Sequence, residues 1–381
     1  MYKYHRVLNL SHILKHRSVF LFGPRQTGKT TYLKAEFPDA VFYNLLEADV
    51  FRELTARPEL IRQRLRDNER LVIIDEIQKL PTLLDEVHTL IESNKELRFI
   101  LTGSSARKLK RGGANMLAGR AWKMSFHPLV SVELNYERLN ERLNIGSLPS
   151  IIDSPSPWQD LKEYVGLYLR EEIQAEGLTR SIENFSRFLD VAALCNGTQV
   201  NFSKVADDAA VPSRTVREYF QILLDTLIAY KLEPYRKTKK RKPVATAKFY
   251  LFDVGVANYL TNRRTILEGS KEYGQALEHL IVLELRSYLD YNRLDLQLNY
   301  WRSRSGLEVD ALVGEEVAIE IKSSERVTER DLKGLRALSE EITFKRRMVI
   351  CREKYFRKTD DGIEIVPVKD FFKMLWRDEL F

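Results

Sequence analysis

The chain has 381 residues, a length that calls for two or three hydrophobic cores rather than one. At 44% hydrophobic and 30% charged residues the composition is that of a folded globular protein, which excludes wholesale disorder. Lys and Arg number 61 against 54 Asp and Glu, a net +7 too small on this length to name a partner by itself. No apolar run approaches the roughly 18 residues of a membrane helix, and the basic N-terminus lacks the apolar core of a secretory signal. Cys195 and Cys351 cannot build a disulfide framework, so a reducing cytoplasm is expected. Resolved by block, residues 1–150 carry +7, 151–200 carry −4, 201–250 carry +6 and the remainder −2. Two positive blocks around an acidic one suggest a polyanionic partner.

In chain order, residues 1–135 alternate short β-rich runs with helical patterns. Strands are predicted at Ser18–Phe22, Ala40–Leu45, Arg70–Ile74, Leu97–Leu101 and Ala121–Phe126. Helices are predicted at about Thr30–Glu36, Ala48–Arg66 and Leu83–Ser93. Such alternation predicts a three-layer α/β domain on a parallel sheet. Between the first strand and the first of these helices, Gly23-Pro24-Arg25-Gln26-Thr27-Gly28-Lys29-Thr30 fits GxxxxGK[ST]. This loop, with Thr31 after it, is the candidate ATP site: its amides and the helix N-terminus suit phosphates, Lys29 reaches the β- and γ-phosphates, and Thr30 holds Mg²⁺. Leu71-Val-Ile-Ile-Asp75-Glu76 is a buried strand ending in two carboxylates. Asp75 is placed to bind the magnesium shell and Glu76 to deprotonate the attacking water. Phe99-Ile-Leu-Thr102-Gly-Ser104-Ser105 ends a further strand in hydroxyls. The pattern resembles the AAA-type P-loop ATPases, which implies that Thr102 or Ser104 senses the γ-phosphate. It also implies an arginine supplied in trans, from Arg107, Arg111 and Arg120, with Arg120 the first choice.

A Pro- and Ser-rich stretch, Gly146–Pro157, is expected as loop, followed by a mainly helical region to about Leu260. Phe202–Tyr219 has a helix–turn–helix cadence, with a turn after Ala210 and Ser213 as cap. The second helix would present Arg214, Thr215 and Arg217 to a major groove. Arg236-Lys237-Thr-Lys239-Lys240-Arg241-Lys242, basic at six of seven positions, would form the tip of a β-hairpin returning through Lys248–Asp253. The segment resembles a winged helix whose wing contacts DNA phosphates.

From there a helix is predicted around Gln275–Tyr288 and strands near Gln297–Arg302, Leu307–Val313 and Val317–Ser323. A helix at Thr328–Ser339 and strands at Arg347–Cys351 and Ile363–Val366 complete the pattern. Period-two alternation places Asp310, Glu320 and Lys322 on one sheet face, opposite Val309, Ala311, Ile319 and Ile321. With Glu278 on the preceding helix they form a candidate divalent-metal site. The order Glu, Asp, Glu-x-Lys and the surrounding helix and strands resemble the PD-(D/E)xK nuclease superfamily, as does Tyr300-Trp-Arg302.

The whole chain resembles bacterial and archaeal AAA-type ATPases with a GPRQxGKT loop, a winged-helix middle and a C-terminal domain of unknown function on a nuclease-like fold. The expected organisation is an α/β P-loop (ASCE/AAA-type) ATPase domain at 1–139 and a linker with helical connector at 140–182. A winged helix at 183–265 and a restriction-endonuclease-like α/β domain at 266–381 follow. The expected function is ATP hydrolysis with Mg²⁺, coupled to binding or remodelling of duplex or branched DNA by a homo-oligomer away from membranes, with Mg²⁺-dependent cleavage open. The alternative is a nucleotide-gated switch whose winged helix binds a protein or operator over an inactive nuclease-like scaffold.

Overall fold

The β-rich runs of the N-terminal part become five parallel strands. They are β1 (Ser18–Phe22), β2 (Val41–Asn44), β3 (Leu71–Asp75), β4 (Arg98–Gly103) and β5 (Ala121–Ser125), in the order β2-β3-β4-β1-β5. The computed structural model describes residues 4–104, 117–169 and 181–381. The chain divides into two compact units, Met1–Pro128 with Asp225–Ile228, and Leu129–Leu224 with Ala229–Phe381.

In the first unit β1 is buried along its whole length and β3 and β4 nearly so, as continuous apolar runs in a two-sided sheet require. Because β4 lies between β1 and β3, the C-terminal ends of these three strands sit side by side. That edge therefore collects the P-loop, Asp75 and Thr102. The register fixes the meeting: Leu21 is opposite Thr102, and Ile74 opposite Leu101. The single helix expected at Ala48–Arg66 is two, Ala48–Ala56 and Leu60–Arg64. Pro58 is the cause, since it lacks an N–H and forces Arg57 out of the helical region (φ −142°, ψ 76°). Phe20, Phe22, Ile74, Phe99 and Leu101 anchor the core. Each such buried side chain is worth about 1.5–3 kcal/mol.

In the second unit the expected Gly146–Pro157 loop contains a short helix, Pro149–Ile152, started by a proline whose missing N–H costs nothing there. Helices Ile182–Leu194, Phe202–Ala209 and Ser213–Asp225 pack through aromatic rings, Phe188 on Phe220 at 5.0 Å and Phe220 on Phe249 at 4.8 Å. Asn201 caps the middle helix by accepting from the N–H groups of Ser203 and Lys204. Ala210 turns the chain at φ 50°. Ser213 is the first residue of the next helix rather than its cap, because the carbonyl of Pro212 accepts from Val216 at 3.0 Å.

A nine-stranded sheet runs through this unit in the order β13-β14-β12-β11-β10-β9-β7-β8-β6. Its strands are β6 (Thr198–Gln199), β7 (Ala229–Pro234), β8 (Lys248–Leu251), β9 (Leu298–Arg302), β10 (Glu308–Val313), β11 (Val317–Ile321), β12 (Arg346–Cys351), β13 (Arg357–Lys358) and β14 (Glu364–Pro367). β7 pairs in parallel with β9 through Glu233–Asn299 and Pro234–Tyr300, so the expected boundary at 265/266 crosses a continuous sheet. The helix at Lys271–Asn292 exceeds the expected Gln275–Tyr288 because Ser270 caps it, accepting from Tyr273 N–H at 3.1 Å. The helix expected from Thr328 begins at Lys333; Thr328 instead bonds the Asp331 side chain in a local turn. An unanticipated helix, Val368–Trp376, buries Phe371, Phe372 and Leu375.

Alternation fails on β10. A register shift between Val309 and Leu312 against β9 sends Val309 into one apolar cluster and Ala311 into another. The four residues expected on one face are therefore not all there.

Candidate functional site

The loop after β1 is shaped by what it cannot accommodate. A Cβ on Gly23 would lie 2.2 Å from the Phe126 carbonyl oxygen, and Gly28, capping the helix Lys29–Glu36, has φ 90°. Gln26 is exposed with φ 57°, Arg25 is half-buried and Thr31 is exposed on the first helical turn. Thr27 is buried and donates to the Pro24 carbonyl at 2.8 Å. The Lys29 ammonium folds back on the loop, donating to the carbonyls of Gly23 (2.7 Å) and Pro24 (2.9 Å). These are the groups a phosphate would replace as its partners.

Opposite the loop, the Thr30 hydroxyl donates to Asp75 Oδ2 at 2.6 Å, and the Thr102 hydroxyl donates to Asp75 Oδ1. Thr102 Oγ1 also accepts from the Glu76 N–H at 3.1 Å. β3 ends at Asp75, and Glu76 turns with φ 62°, a left-handed conformation that costs of order 1 kcal/mol and aims its side chain away from that of Asp75. Gln78, which the sequence reading passed over, then donates its amide to Glu76 Oε2 and, at 3.2 Å, to Ser104 Oγ. Lys29, Thr30, Asp75, Glu76, Thr102 and Ser104 are thus brought together at one sheet edge. A hydroxyl and a carboxylate oxygen 2.6 Å apart suit the shell of an Mg²⁺ ion carried in with nucleotide.

Arg6 was also missed. Buried, it donates to the carbonyls of Thr27 (2.8 Å) and His127 (2.6 Å) and lies 4.1 Å from the centre of the Phe126 ring. No spacing rule links a residue before the first strand to the loop after it.

Arg120 stands apart from this edge. It precedes β5, whose first residue is level with Ser18 at the start of β1, so it lies about 15 Å of strand away from the P-loop. Its guanidinium pairs with Glu92, whose carboxylate it holds below the ordinary range. Ser105, Arg107 and Arg111 lie outside the described residues.

On the helix Ser213–Asp225, Arg214 is exposed and pairs with Glu218 at 3.3 Å, Thr215 is half-buried, and Arg217 stacks 4.4 Å from the centre of the Phe202 ring. The basic stretch expected as a projecting wing tip is folded down. Lys240 N–H and Arg241 N–H both donate to Glu341 at 3.0 Å, and the Arg241 guanidinium reaches Glu340 at 2.7 Å and the Ala337 carbonyl at 3.0 Å. Arg236 donates to the Ala245 carbonyl and Lys237 lies 3.8 Å from Glu315. Thr238, buried in the basic run, accepts from the Trp301 indole and draws the loop inward. Arg236, Lys237, Lys239, Lys240 and Lys242 are nevertheless exposed, and Arg241 is half-buried.

The C-terminal carboxylates also depart from expectation. Among the described residues no three His, Cys, Asp or Glu side chains form a metal-holding group. Glu278 is taken by the Lys248 ammonium at 2.9 Å and the Tyr250 hydroxyl at 2.7 Å. Asp310 Oδ2 accepts from Ile321 N–H at 2.8 Å, and Lys322 pairs with Glu320. Burial, then Glu278, pushes Asp310 up to about 7; burial, then Asp310, holds Glu320 well above its ordinary range. Of the three carboxylates expected to bind metal, Glu278 is thus paired with Lys248 from β8 and Glu320 with Lys322, while Asp310 accepts from a backbone N–H.

The sheet order, the glycine loop and the Thr30–Asp75–Thr102 contacts define a P-loop domain of the AAA type. Residues 15–135 match the family described as AAA domain, and residues 136–266 and 273–371 match two families described as domains of unknown function, DUF8612 and DUF4143. Uncharacterized proteins of Mycobacterium bovis and Mycobacterium tuberculosis are each 24% identical over 376 residues, covering 95% of this chain and 82% of theirs. Among solved structures, the Aeropyrum pernix ORC1 protein in complex with DNA is 14% identical (TM-score 0.27, 68% of this chain and 92% of that one). The Pif1 helicase of Candida albicans is 15% identical (TM-score 0.22, 40% and 45%). A STAND signal-transduction ATPase of Pyrococcus horikoshii is also 15% identical (TM-score 0.22, 77% and 49%). Among the described residues no helix is long and apolar enough to cross a membrane.

Proposed function

We propose that the chain hydrolyses ATP at the loop Gly23–Thr30 and couples its nucleotide state to DNA binding. The observation that carries the ATPase reading is the paired network at one sheet edge, Thr30–Asp75–Thr102 beside Glu76–Gln78–Ser104. Lys29 would exchange its loop carbonyls for the β- and γ-phosphates, while Thr30 and Asp75 would hold Mg²⁺, which supplies charge neutralisation at the transferring phosphoryl group. Glu76, held by Gln78, would orient the attacking water and take its proton; Ser104 and Thr102 would register the γ-phosphate. Arg120, remote from its own P-loop, would act only on the nucleotide of a neighbouring copy in a homo-oligomer.

For DNA, the helix pair Phe202–Ala209 and Ser213–Asp225 with the β7–β8 hairpin supports a winged-helix reading. Arg214, Arg217 and the exposed Lys239 and Lys242 would serve as phosphate contacts. The helix, three strands, helix and parallel strand from Lys271 to Cys351 support a nuclease-like core used as a platform, without cleavage.

An ATPase assay against duplex, single-stranded and branched DNA tests the whole reading. Turnover abolished by Lys29→Ala and raised severalfold by DNA is the expected result. Hydrolysis unchanged in Lys29→Ala sinks the site, and turnover indifferent to every DNA sinks the coupling. Replacing Lys239 and Lys242 by Ser should lower the salt dependence of binding by up to about one unit of slope each.

A further inference from the structure

Lys248 is the first residue of β8 and is buried, with a side chain 5% exposed. Its ammonium sits 2.9 Å from Glu278 Oε1 on the helix Lys271–Asn292 and 2.7 Å from Glu308 Oε1 on β10. Burial alone would drive this ammonium down, but Glu278, then Tyr250, Asp310 and Glu308, outweigh it and hold it well above the ordinary lysine range. Around it several carboxylate oxygens already have donors within the chain. Tyr250 donates to Glu278, Arg302 pairs with Glu308 at 3.2 Å, and the Ile321 N–H and Lys322 serve Asp310 and Glu320. One oxygen, Glu320 Oε2, is buried with no partner.

We propose that Lys248 is the resident cation of this carboxylate cluster, filling with a covalently tethered ammonium the place a divalent metal would take. Three elements distant in sequence, β8, the helix Lys271–Asn292 and β10, converge on one nitrogen atom. A buried positive charge with two carboxylate partners has no reason to leave, and a divalent ion entering beside it would add like charge in a poorly solvated site. The cluster is thus a permanent fastening of the β7–β8 hairpin to the C-terminal strands, closed to Mg²⁺ and Mn²⁺.

The test is Mn²⁺ titration of the full chain without nucleotide, read by electron paramagnetic resonance and by thermal melting. Wild type should show no saturable Mn²⁺ site that depends on Glu320. Lys248→Ala should gain one, lost again when Glu320→Gln is added. Stoichiometric Mn²⁺ binding by wild type that Glu320→Gln or Glu278→Gln removes would overturn the proposal, as would Lys248→Ala remaining blind to Mn²⁺. Should Lys248→Ala fail to fold, the wild-type titration with its Glu320→Gln control decides alone.

Discussion

Asp75 and Glu76 at the end of β3 face two threonine hydroxyls and a glutamine amide, whereas Asp310 and Glu320 on β10 and β11 lie among lysines. Both groups are buried carboxylates on strands of a sheet, and by residue type alone either could hold Mg²⁺. The difference lies in the charge of their partners. Hydroxyl and amide donors orient the P-loop carboxylates, so a cation arriving with nucleotide can join them. In the C-terminal group Lys248 pairs with Glu278 and Lys322 with Glu320, so cations of the chain already lie within it. A carboxylate pair therefore announces a metal site only when the cations nearby can leave.

The strongest attempt to break this comparison is Glu76→Gln. Losing the base should lower turnover about 10²–10⁴-fold while ATP stays bound, measured as single-turnover hydrolysis alongside nucleotide affinity. Near-normal turnover would make the neutral-donor network structural, as the C-terminal one is. Lys248→Ala should destabilise the second unit by about 1–3 kcal/mol in denaturant unfolding, because it strands two half-buried carboxylates. A cost below about 1 kcal/mol would mean that water or solute cations replace the ammonium freely. Gln78→Ala should slow turnover about 10–100-fold through a lost charge-assisted hydrogen bond to Glu76, with ATP affinity unchanged. A change in affinity alone would move Gln78 from positioning the base to shaping the pocket.

A subtler contrast is in pH. Asp310, at about 7 in the folded chain against an ordinary 3.8, holds its proton more tightly when folded. Its contribution to stability is full below about pH 4 and is lost as pH rises through about 7. Asp253, buried and raised to about 6, loses its contribution in a lower window. His279, lowered by burial from 6.5 to about 4, loses its own only as pH falls. Melting between pH 6.5 and 8 therefore isolates the cluster of Asp310 and Glu320. Wild type should melt lower as pH rises and Asp310→Asn less so; parallel curves would remove the proton from the account. Smallest of all, Arg302→Ala should cost about 0–1 kcal/mol, since its pair with Glu308 is 40% exposed on the arginine side. A cost equal to that of Lys248→Ala would show that burial is not what sets the two cations apart.

The sequence was most informative where chemistry is local. Gly23–Thr30 is contiguous, Asp75–Glu76 ends an unmistakable apolar run, and the strands of the first sheet fall within a few residues of their expected bounds. Gln78 was legible too, two residues past Glu76, had the turn after β3 been weighed as part of the site. Lys248 was not, because it opens an apolar strand thirty residues before Glu278 and follows a basic run that drew attention elsewhere. That run misled for a physical reason. A stretch basic at six of seven positions looks solvated, and five of the six basic residues are exposed, but the one uncharged member, Thr238, is buried against Trp301 and ties the loop down near Glu340 and Glu341. Pro58 was in plain view and should have divided the helix it broke.

The parallel seam between β7 and β9 pairs Glu233 with Asn299 and Pro234 with Tyr300, one of those four residues is a proline without an N–H, and backbone bonds from Tyr235 to Tyr300 and from Val244 to Arg302 extend the joint. A seam this short is a poor carrier of load. Any pull on the helix Ser213–Asp225 that reaches the C-terminal strands by way of the hairpin would load this joint, and its few backbone bonds would share the strain. The rest would fall on side chains bridging the same gap, above all the one rooted in β8. In mechanical terms the hairpin is riveted rather than glued, and a riveted joint transmits small displacements without slack until it fails all at once.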